Sequence, residues 1–282
     1  MRLSSFLLDG KATYGIVDER GVIDLGIGLA GRFPDLKALL AGNGLAEADA
    51  HAKSAGVTAE LDDVELLPVI PNPGKIFCIG HNYEDHRVET QRAKTDHPSV
   101  FLRVAESQVG HGQSMLCPRE STMLDYEGEI AIIIGKPGRR IAEADAWSHI
   151  AGYACYNDGS VRDWQWHTQQ FIPGKNFVAT GAFGPWMVSA DQIAPGEELT
   201  LTTRLNGRVM QQTTTANMIF PIPRLIAYCS TFLPLAPGDV IVTGTPGGVG
   251  AKRMPPVFMK EGDVVEVEVS RIGCLRNAIA IG

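Results

Sequence analysis

The sequence predicts an α+β protein, predominantly β, with a small N-terminal α/β unit over residues 1–70 and a larger unit over residues 71–282. Three observations lead there. Short apolar and β-branched runs separated by Gly and Pro recur along most of the chain, helical periodicity is confined to a few short stretches, and βαβ alternation is absent. That last absence argues against a doubly wound parallel sheet. A chain of 282 residues buries on the order of three quarters of the surface its unfolded form exposes, enough for one large domain or one large and one small.

Taken in order, Leu3 to Leu8, Ala12 to Val17 and Gly21 to Leu25 read as short strands with turns at Asp9-Gly10 and Glu19-Arg20-Gly21. The stretch 34–40 reads as a short helix stopped by Gly42. Pro68, Pro71, Pro73 and Gly74 break regular structure and mark the boundary near residue 70. Beyond it, Ile130 to Ile134 and Ile150 to Asn157 are apolar runs of strand length. Asn206-Gly207 between 199–205 and 209–214 is the strongest short hairpin signal in the chain. Residues 239–243, 263–270 and 275–281 complete the strands, and helical patterns cover about 83–92, 143–149, 160–170 and 222–232. No internal repeat, heptad or low-complexity tract is present.

A formal net charge of −7 argues against a nucleic-acid binder and leaves an anionic substrate dependent on a local positive patch. The five cysteines are scattered, with no CxxC spacing, and read as reduced core residues in place of a disulfide frame or zinc site. No apolar run is long enough for a membrane span or signal peptide, so a cytoplasmic protein with no membrane partner is expected.

The most informative stretch is Asp125-Tyr126-Glu127-Gly128-Glu129 at the head of the Ile130–Ile134 run. Residues i and i+2 of a strand share a face, so Glu127 and Glu129 project together and repel one another unless a positive group holds them. An oxygen-rich site suits Mg²⁺, Mn²⁺ or Ca²⁺ better than Zn²⁺. Two exposed glutamates at a strand end are the plain alternative. Asp158, closing the Ile150–Asn157 run, is a third carboxylate and equally a helix N-cap. Three carboxylates on one cation leave positions open for water and substrate oxygens.

Spacings of four and seven put Asp158, Arg162 and Gln165 on one helical face, where a cation and an amide would suit an anionic substrate or oxyanion; a surface ion pair also accounts for them. Lys175, between Gly174 and an aromatic pair of neighbours two and four residues away (Phe177 and Phe171), is either a fixed charge in a pocket or a solvated side chain. Thr245 sits in a Gly-rich loop, Thr243 to Gly250, that matches neither nucleotide fingerprint and better suits a carboxylate. His86 and Glu89, three apart, form either a water-activating pair or a surface His–Glu contact.

The order of these pieces is more specific than any one of them. Gly80-x-Asn82-Tyr83-x-x-His86-x-x-Glu89, Asp125-Tyr126-Glu127-x-Glu129, Asn157-Asp158-x-Ser160-x-Arg162-Asp163-x-Gln165, Gly174-Lys175-x-Phe177, Pro237-Gly238-Asp239 and Thr243-Gly244-Thr245-Pro246-x-Gly248-Val249-Gly250 follow one another from about residue 73 to 282. In this the chain resembles the fumarylacetoacetate hydrolase family, acylpyruvase and fumarylpyruvate hydrolase-like members in particular. The resemblance implies a mixed β-roll or β-sandwich-like fold, usually a homodimer, with one Mg²⁺ or Mn²⁺ per chain on Glu127, Glu129 and Asp158. It makes His86 and Glu89 a water-activating dyad and puts Lys175 and Gln165 beside an oxyanion. Arg162, Thr245, Tyr83 and Arg103 fall to substrate binding. Arg103 stands where many members have Lys, Val178 where many have Asp, and Ala182-Phe183 where many have Pro-Leu; these departures fall around the pocket rim and leave the substrate open.

The implied activity is hydrolysis of a C–C bond in an acylpyruvate-type 2,4-dioxo acid, releasing pyruvate and a carboxylic acid. The alternative is oxaloacetate decarboxylation or tautomerisation, or hydration of a 2-oxo-alkenoate, at the same site. A non-catalytic metal-binding β protein is a third reading, which the dyad and Lys175 argue against.

Overall fold

The computed structural model describes residues 1–282. Its centre is the strand Gly128–Ile134, every residue of which is buried. Ile130, Ile132 and Ile134 point into one apolar core, and Ala131 and Ile133 into another. A strand covered on both faces needs a continuous apolar run, and that is what the sequence supplies.

Around this strand an eleven-stranded mixed sheet runs in the order Gly21–Asp24, Lys11–Asp18, Arg2–Leu8, Gly181–Ser189, Ile150–Asn157, Gly128–Ile134, Val240–Val242, Ile76–Gly80, Ser99–Arg103, with two short strands pairing off this path. Most neighbours are antiparallel, but Val240–Val242 runs parallel to Ile76–Gly80. A second, five-stranded sheet (Arg208–Thr214, Thr200–Leu205, Val264–Val269, Gly273–Ile281, Met115–Cys117) covers one face. Ile130 and Ile132 meet Val265, Val267 and Leu275 there in a single apolar core. This is the β-dominated sandwich-like arrangement expected.

Close approach of the two sheets fixes Gly128. A Cβ there would lie 2.0 Å from Thr203 Oγ1 of the facing sheet, so the residue between the two key glutamates has no room for a side chain. The hairpin at Asn206-Gly207 forms as expected, with both residues at positive φ (52° and 77°).

The boundary near residue 70 marks an interruption of regular structure and not a separation of cores. Arg2–Leu8 pairs with Gly181–Ser189, so the N-terminal strands extend the main sheet. Leu36 and Leu39 of the helix Leu36–Ala41 share a core with Ile133, Val240 and Val242. Helices are shorter than their sequence patterns. The 83–92 pattern forms a helix only over Glu84–Glu89, and 143–149 is a 3₁₀ helix. The 160–170 pattern is helical over Arg162–Gln165 alone, whereas Ile222–Phe232 forms in full. No helix is long and apolar enough to cross a membrane.

Candidate active site

The site forms where the central strand begins. Gly128 faces Asn157 and Glu129 faces Tyr156 across the antiparallel pair. Just before it, the Glu127 N–H donates to Asn157 Oδ1 (3.0 Å), and the Glu127 carbonyl accepts from the Asp158 N–H (2.8 Å). Pairing across two strands therefore brings Asp158 alongside the Glu127–Glu129 pair. One oxygen from each of the three carboxylates lies within 4.8 Å of the others, and all three residues are buried. Asp158 does not cap a helix. It precedes the short strand Ser160–Val161, and Val161 stands at the helix start.

Buried cations answer two of these carboxylates. Lys175 Nζ, at the end of the turn Ile172–Lys175, donates to Glu127 Oε2 and Asp158 Oδ2, each at 2.7 Å. Arg162 Nη1 pairs with the other oxygen of Glu127 at 2.6 Å, and its Nε donates to Asp125 Oδ2 at 2.8 Å. Arg103 Nη1 holds Asp158 Oδ1 at 2.6 Å. Burial works to raise the Glu127 carboxyl, but Lys175 and Arg162 overcome it and hold the group well below the ordinary range. Burial also works against the Lys175 ammonium, and Asp158 and Glu127 more than restore it.

Glu129 is different. Its carboxylate accepts from the Gly244 N–H and pairs with no cation. Burial, then the charges of Asp158 and Glu127, push its carboxyl well above the ordinary range. A buried acid raised by two like neighbours, with all donors oxygen, is chemically matched to a hard divalent cation. The residues present thus fit Mg²⁺ or Mn²⁺.

Opposite the triad, His86 and Glu89 share the helix Glu84–Glu89. His86 Nδ1 and Glu89 Oε1 are 2.8 Å apart, and the second oxygen of Glu89 accepts from the Gly248 N–H at 2.9 Å. The carboxylate is therefore fixed at both oxygens. With Nδ1–H donated to Glu89, Nε2 of His86 is left with a free lone pair. The imidazole of His81 stacks on His86 at 5.3 Å; burial, then the His86 charge, lower His81 to about 4.

One cavity brings together His86, Glu127, Glu129, Arg162, Gln165, Lys175 and Thr245. Gln165 accepts from Arg162 through Oε1 (2.9 Å), which turns its amide nitrogen free as a donor. Arg162 Nη2 is buried without a hydrogen-bond partner. The Thr245 hydroxyl donates to the Gly128 carbonyl (2.9 Å) and accepts from Gln211 (2.8 Å), anchoring the Gly-rich loop to the strand that carries Glu129. Gly244 has φ +102°, and a Cβ there would come within 2.7 Å of Asn82 Cβ; glycine lets this loop turn its N–H onto Glu129.

Tyr83 and Arg103 are not on the cavity wall. Arg103 lies behind Asp158, bonded also to the Gly159 carbonyl and Thr180, and Tyr83 is buried with its hydroxyl unpartnered. Sequence reasoning gave no role to Asp125, which accepts from Gly250 and Ala251 N–H groups (2.8 and 2.9 Å) while holding Arg162. Its place at the head of the acidic motif was the available signal. His81, Arg92, Phe101, Trp166, Phe171 and Lys252 also line the cavity and had none.

Fold and site together define a metal-site enzyme of the fumarylacetoacetate hydrolase class. The family's profile, fumarylacetoacetate (FAA) hydrolase C-terminal, matches residues 75–280, and the chain belongs to that family. It is 42% identical over 219 residues to a mitochondrial oxaloacetate tautomerase of Xenopus laevis, covering 77% of this chain and 69% of that protein. It is similar to the fumarylacetoacetate hydrolase of Exiguobacterium antarcticum (TM-score 0.87, 31% identity, all of both chains). It is also similar to the maleylpyruvate hydrolase of Sphingobium sp. SYK-6 in complex with manganese(II) and pyruvate (TM-score 0.83, 28% identity, all of both chains). That relative and the buried acidic triad support a divalent metal.

Proposed function

We propose that this chain interconverts the keto and enol forms of oxaloacetate, with Mg²⁺ or Mn²⁺ held by Glu127, Glu129 and Asp158. The observation carrying the chemistry is the hydrogen-bonded His86–Glu89 pair, whose imidazole lines one cavity with Glu127, Glu129 and Lys175. The choice of tautomerisation over C–C hydrolysis is supported by the 42% identity to an oxaloacetate tautomerase, against 28% to the maleylpyruvate hydrolase.

A divalent cation in this triad supplies a Lewis acid for the oxygens of a 2-oxo acid. The remaining work falls to side chains. His86 Nε2 takes a proton from C3 of the keto form, and the C–H electron pair becomes the C2–C3 double bond while the carbonyl pair moves onto O2. Lys175, whose ammonium is kept charged by Glu127 and Asp158, returns a proton to O2, and the two groups are reset by proton exchange with water. Glu89 favours the imidazolium of His86 as it forms. Arg162 Nη2, buried and unpartnered, suits a substrate carboxylate oxygen.

Acylpyruvate hydrolysis is the second reading, favoured by the same pair, because a base of this build also activates water. Loss of the ultraviolet enol band of oxaloacetate, followed with and without metal, tests the first; consumption of maleylpyruvate tests the second. His86→Ala should slow tautomerisation by roughly 10²- to 10⁴-fold, the usual worth of a general base. An unchanged rate in that variant, or maleylpyruvate turnover with no effect on oxaloacetate, would remove the tautomerase proposal. We further propose a homodimer, to be read by sedimentation equilibrium.

A further inference from the structure

Cationic side chains of the cavity fall into two kinds. Arg162 and Lys175 are buried on its floor and bonded to carboxylates of the protein. Arg92 and Lys252 also line the cavity but are solvent-exposed, and neither forms an ion pair. They come from two different elements that meet at Glu89. Arg92 follows the helix Glu84–Glu89 that bears His86, and Lys252 follows the Gly-rich loop that fixes Glu89.

Arg92 is placed rather than loose. Its guanidinium lies 6.0 Å from the centroid of Phe171, whose ring is braced edge-on against Phe101 (5.7 Å) and His81 (6.3 Å). An Arg stacked on an aromatic face keeps its N–H donors free for another partner. In a chain with 32 acidic and 25 basic residues, two uncompensated cations on one cavity run against the composition. The floor already offers one carboxylate of a 2-oxo acid its partners, in Arg162 and the amide of Gln165. A 2-oxo monoacid has nothing for Arg92 and Lys252 to bind.

We propose that Arg92 and Lys252 form a subsite for the second carboxylate of the substrate, so that the cavity selects four-carbon 2-oxo diacids over 2-oxo monoacids. This assignment rests on the tautomerase reading for the identity of the diacid. The subsite itself follows from the separation of paired floor cations and unpaired mouth cations. In such a diacid C2 and C3 lie between the two carboxylates, and His86 lines the same cavity as both cations.

The test uses two four-carbon 2-hydroxy acids that cannot enolise, malate and 2-hydroxybutyrate, titrated calorimetrically into Mg²⁺-loaded wild type, Arg92→Gln, Lys252→Met and the double variant. Wild type should prefer malate by about 10-fold or more, and each single variant should lose about 3- to 10-fold of malate affinity, as suits charge-assisted bonds at an exposed mouth. The preference should shrink with added salt. Affinity for 2-hydroxybutyrate should stay within about twofold, which also reports an intact floor. No preference in wild type, or equal losses for both acids, overturns the subsite. If malate preference behaves as expected and the protein fails to interconvert oxaloacetate tautomers, the tautomerase reading falls and the diacid subsite stands. Tautomerase activity without malate preference gives the reverse.

Discussion

Replacing Lys175 by Met tests the electrostatic design of the cavity floor. The ammonium is fully buried and sits 2.7 Å from both Glu127 and Asp158. Met keeps most of the stem's apolar volume but removes the charge. Breaking a buried pair costs about 3–5 kcal/mol. Here each carboxylate keeps a second partner, Arg162 on Glu127 and Arg103 on Asp158, both at 2.6 Å, so the lower end, about 3 kcal/mol, is expected. For a chain of 282 residues that lowers Tm by roughly 5 °C. Differential scanning calorimetry in chelator reads it directly. Adding Mn²⁺ should recover more Tm in the variant than in wild type, because the lost positive charge is what the ion restores to Glu127 and Asp158. At saturating metal, kcat should fall on the order of 10²-fold, the worth of one preorganised donor, with little change in KM. A variant that melts in chelator within 2 °C of wild type (about the smallest shift that ~1 kcal/mol produces) would refute the idea that the floor depends on this ammonium. A raised KM with unchanged kcat would restrict Lys175 to ground-state binding.

Glu127→Gln, Glu129→Gln and Asp158→Asn should each leave a folded protein with severely weakened Mn²⁺ affinity by calorimetry; full affinity in all three would remove the triad from metal binding. Gly128→Ala should cost about 1–3 kcal/mol in denaturant unfolding, since its Cβ would land on Thr203 and part the two sheets, and metal affinity should fall with it. His81 has its folded pKa lowered to about 4 from an unfolded 6.5, so the unfolded chain binds more protons in that window. Its contribution to stability is complete above about pH 6.5 and is lost as pH falls toward 4, by roughly 1–3 kcal/mol. His81→Asn, chosen because φ at this residue is +57° and Asn tolerates it, should flatten that acid limb of the unfolding free energy; an unaltered limb would assign it elsewhere.

The β-dominated fold class was legible in the sequence, and local spacing also pointed to the carboxylate cluster. Glu127 and Glu129 were readable because a two-residue spacing beside an apolar run puts both on one face, and their burial is what excludes the solvated alternative. His86 and Glu89 were readable for the same reason at a spacing of three. Asp158 was found, but its alternative as a helix cap fails because residues 160 and 161 pair with Leu124–Asp125, a two-residue strand too short to show a period. The helix patterns at 83–92 and 160–170 were over-long because side-chain spacing cannot register where the chain must turn to close a cavity. Asp125 stood at the head of the acidic motif but drew no role, because its partners Gly250 and Ala251 lie 125 and 126 residues further along the chain. Arg103 was expected at the pocket rim, where many members have Lys, but it holds Asp158 behind the wall, which only the tertiary structure reveals.

The pairing of Arg2–Leu8 with Gly181–Ser189 gives the N-terminal segment a protective role. The family's profile begins at residue 75, yet a chain cut there would leave Met187 and Val188 of the Gly181–Ser189 strand without their strand partners, while Gly181 and Ala182 keep theirs in Gln108 and Val109. Leu3, Leu36 and Leu39, which cover Ile133 and Met187, would leave with the segment. An uncovered stretch of buried strand edge is a place where another copy can add a strand. The first seventy residues therefore close one end of this strand's edge and one face of the core around Ile133, although every residue of the site lies outside them.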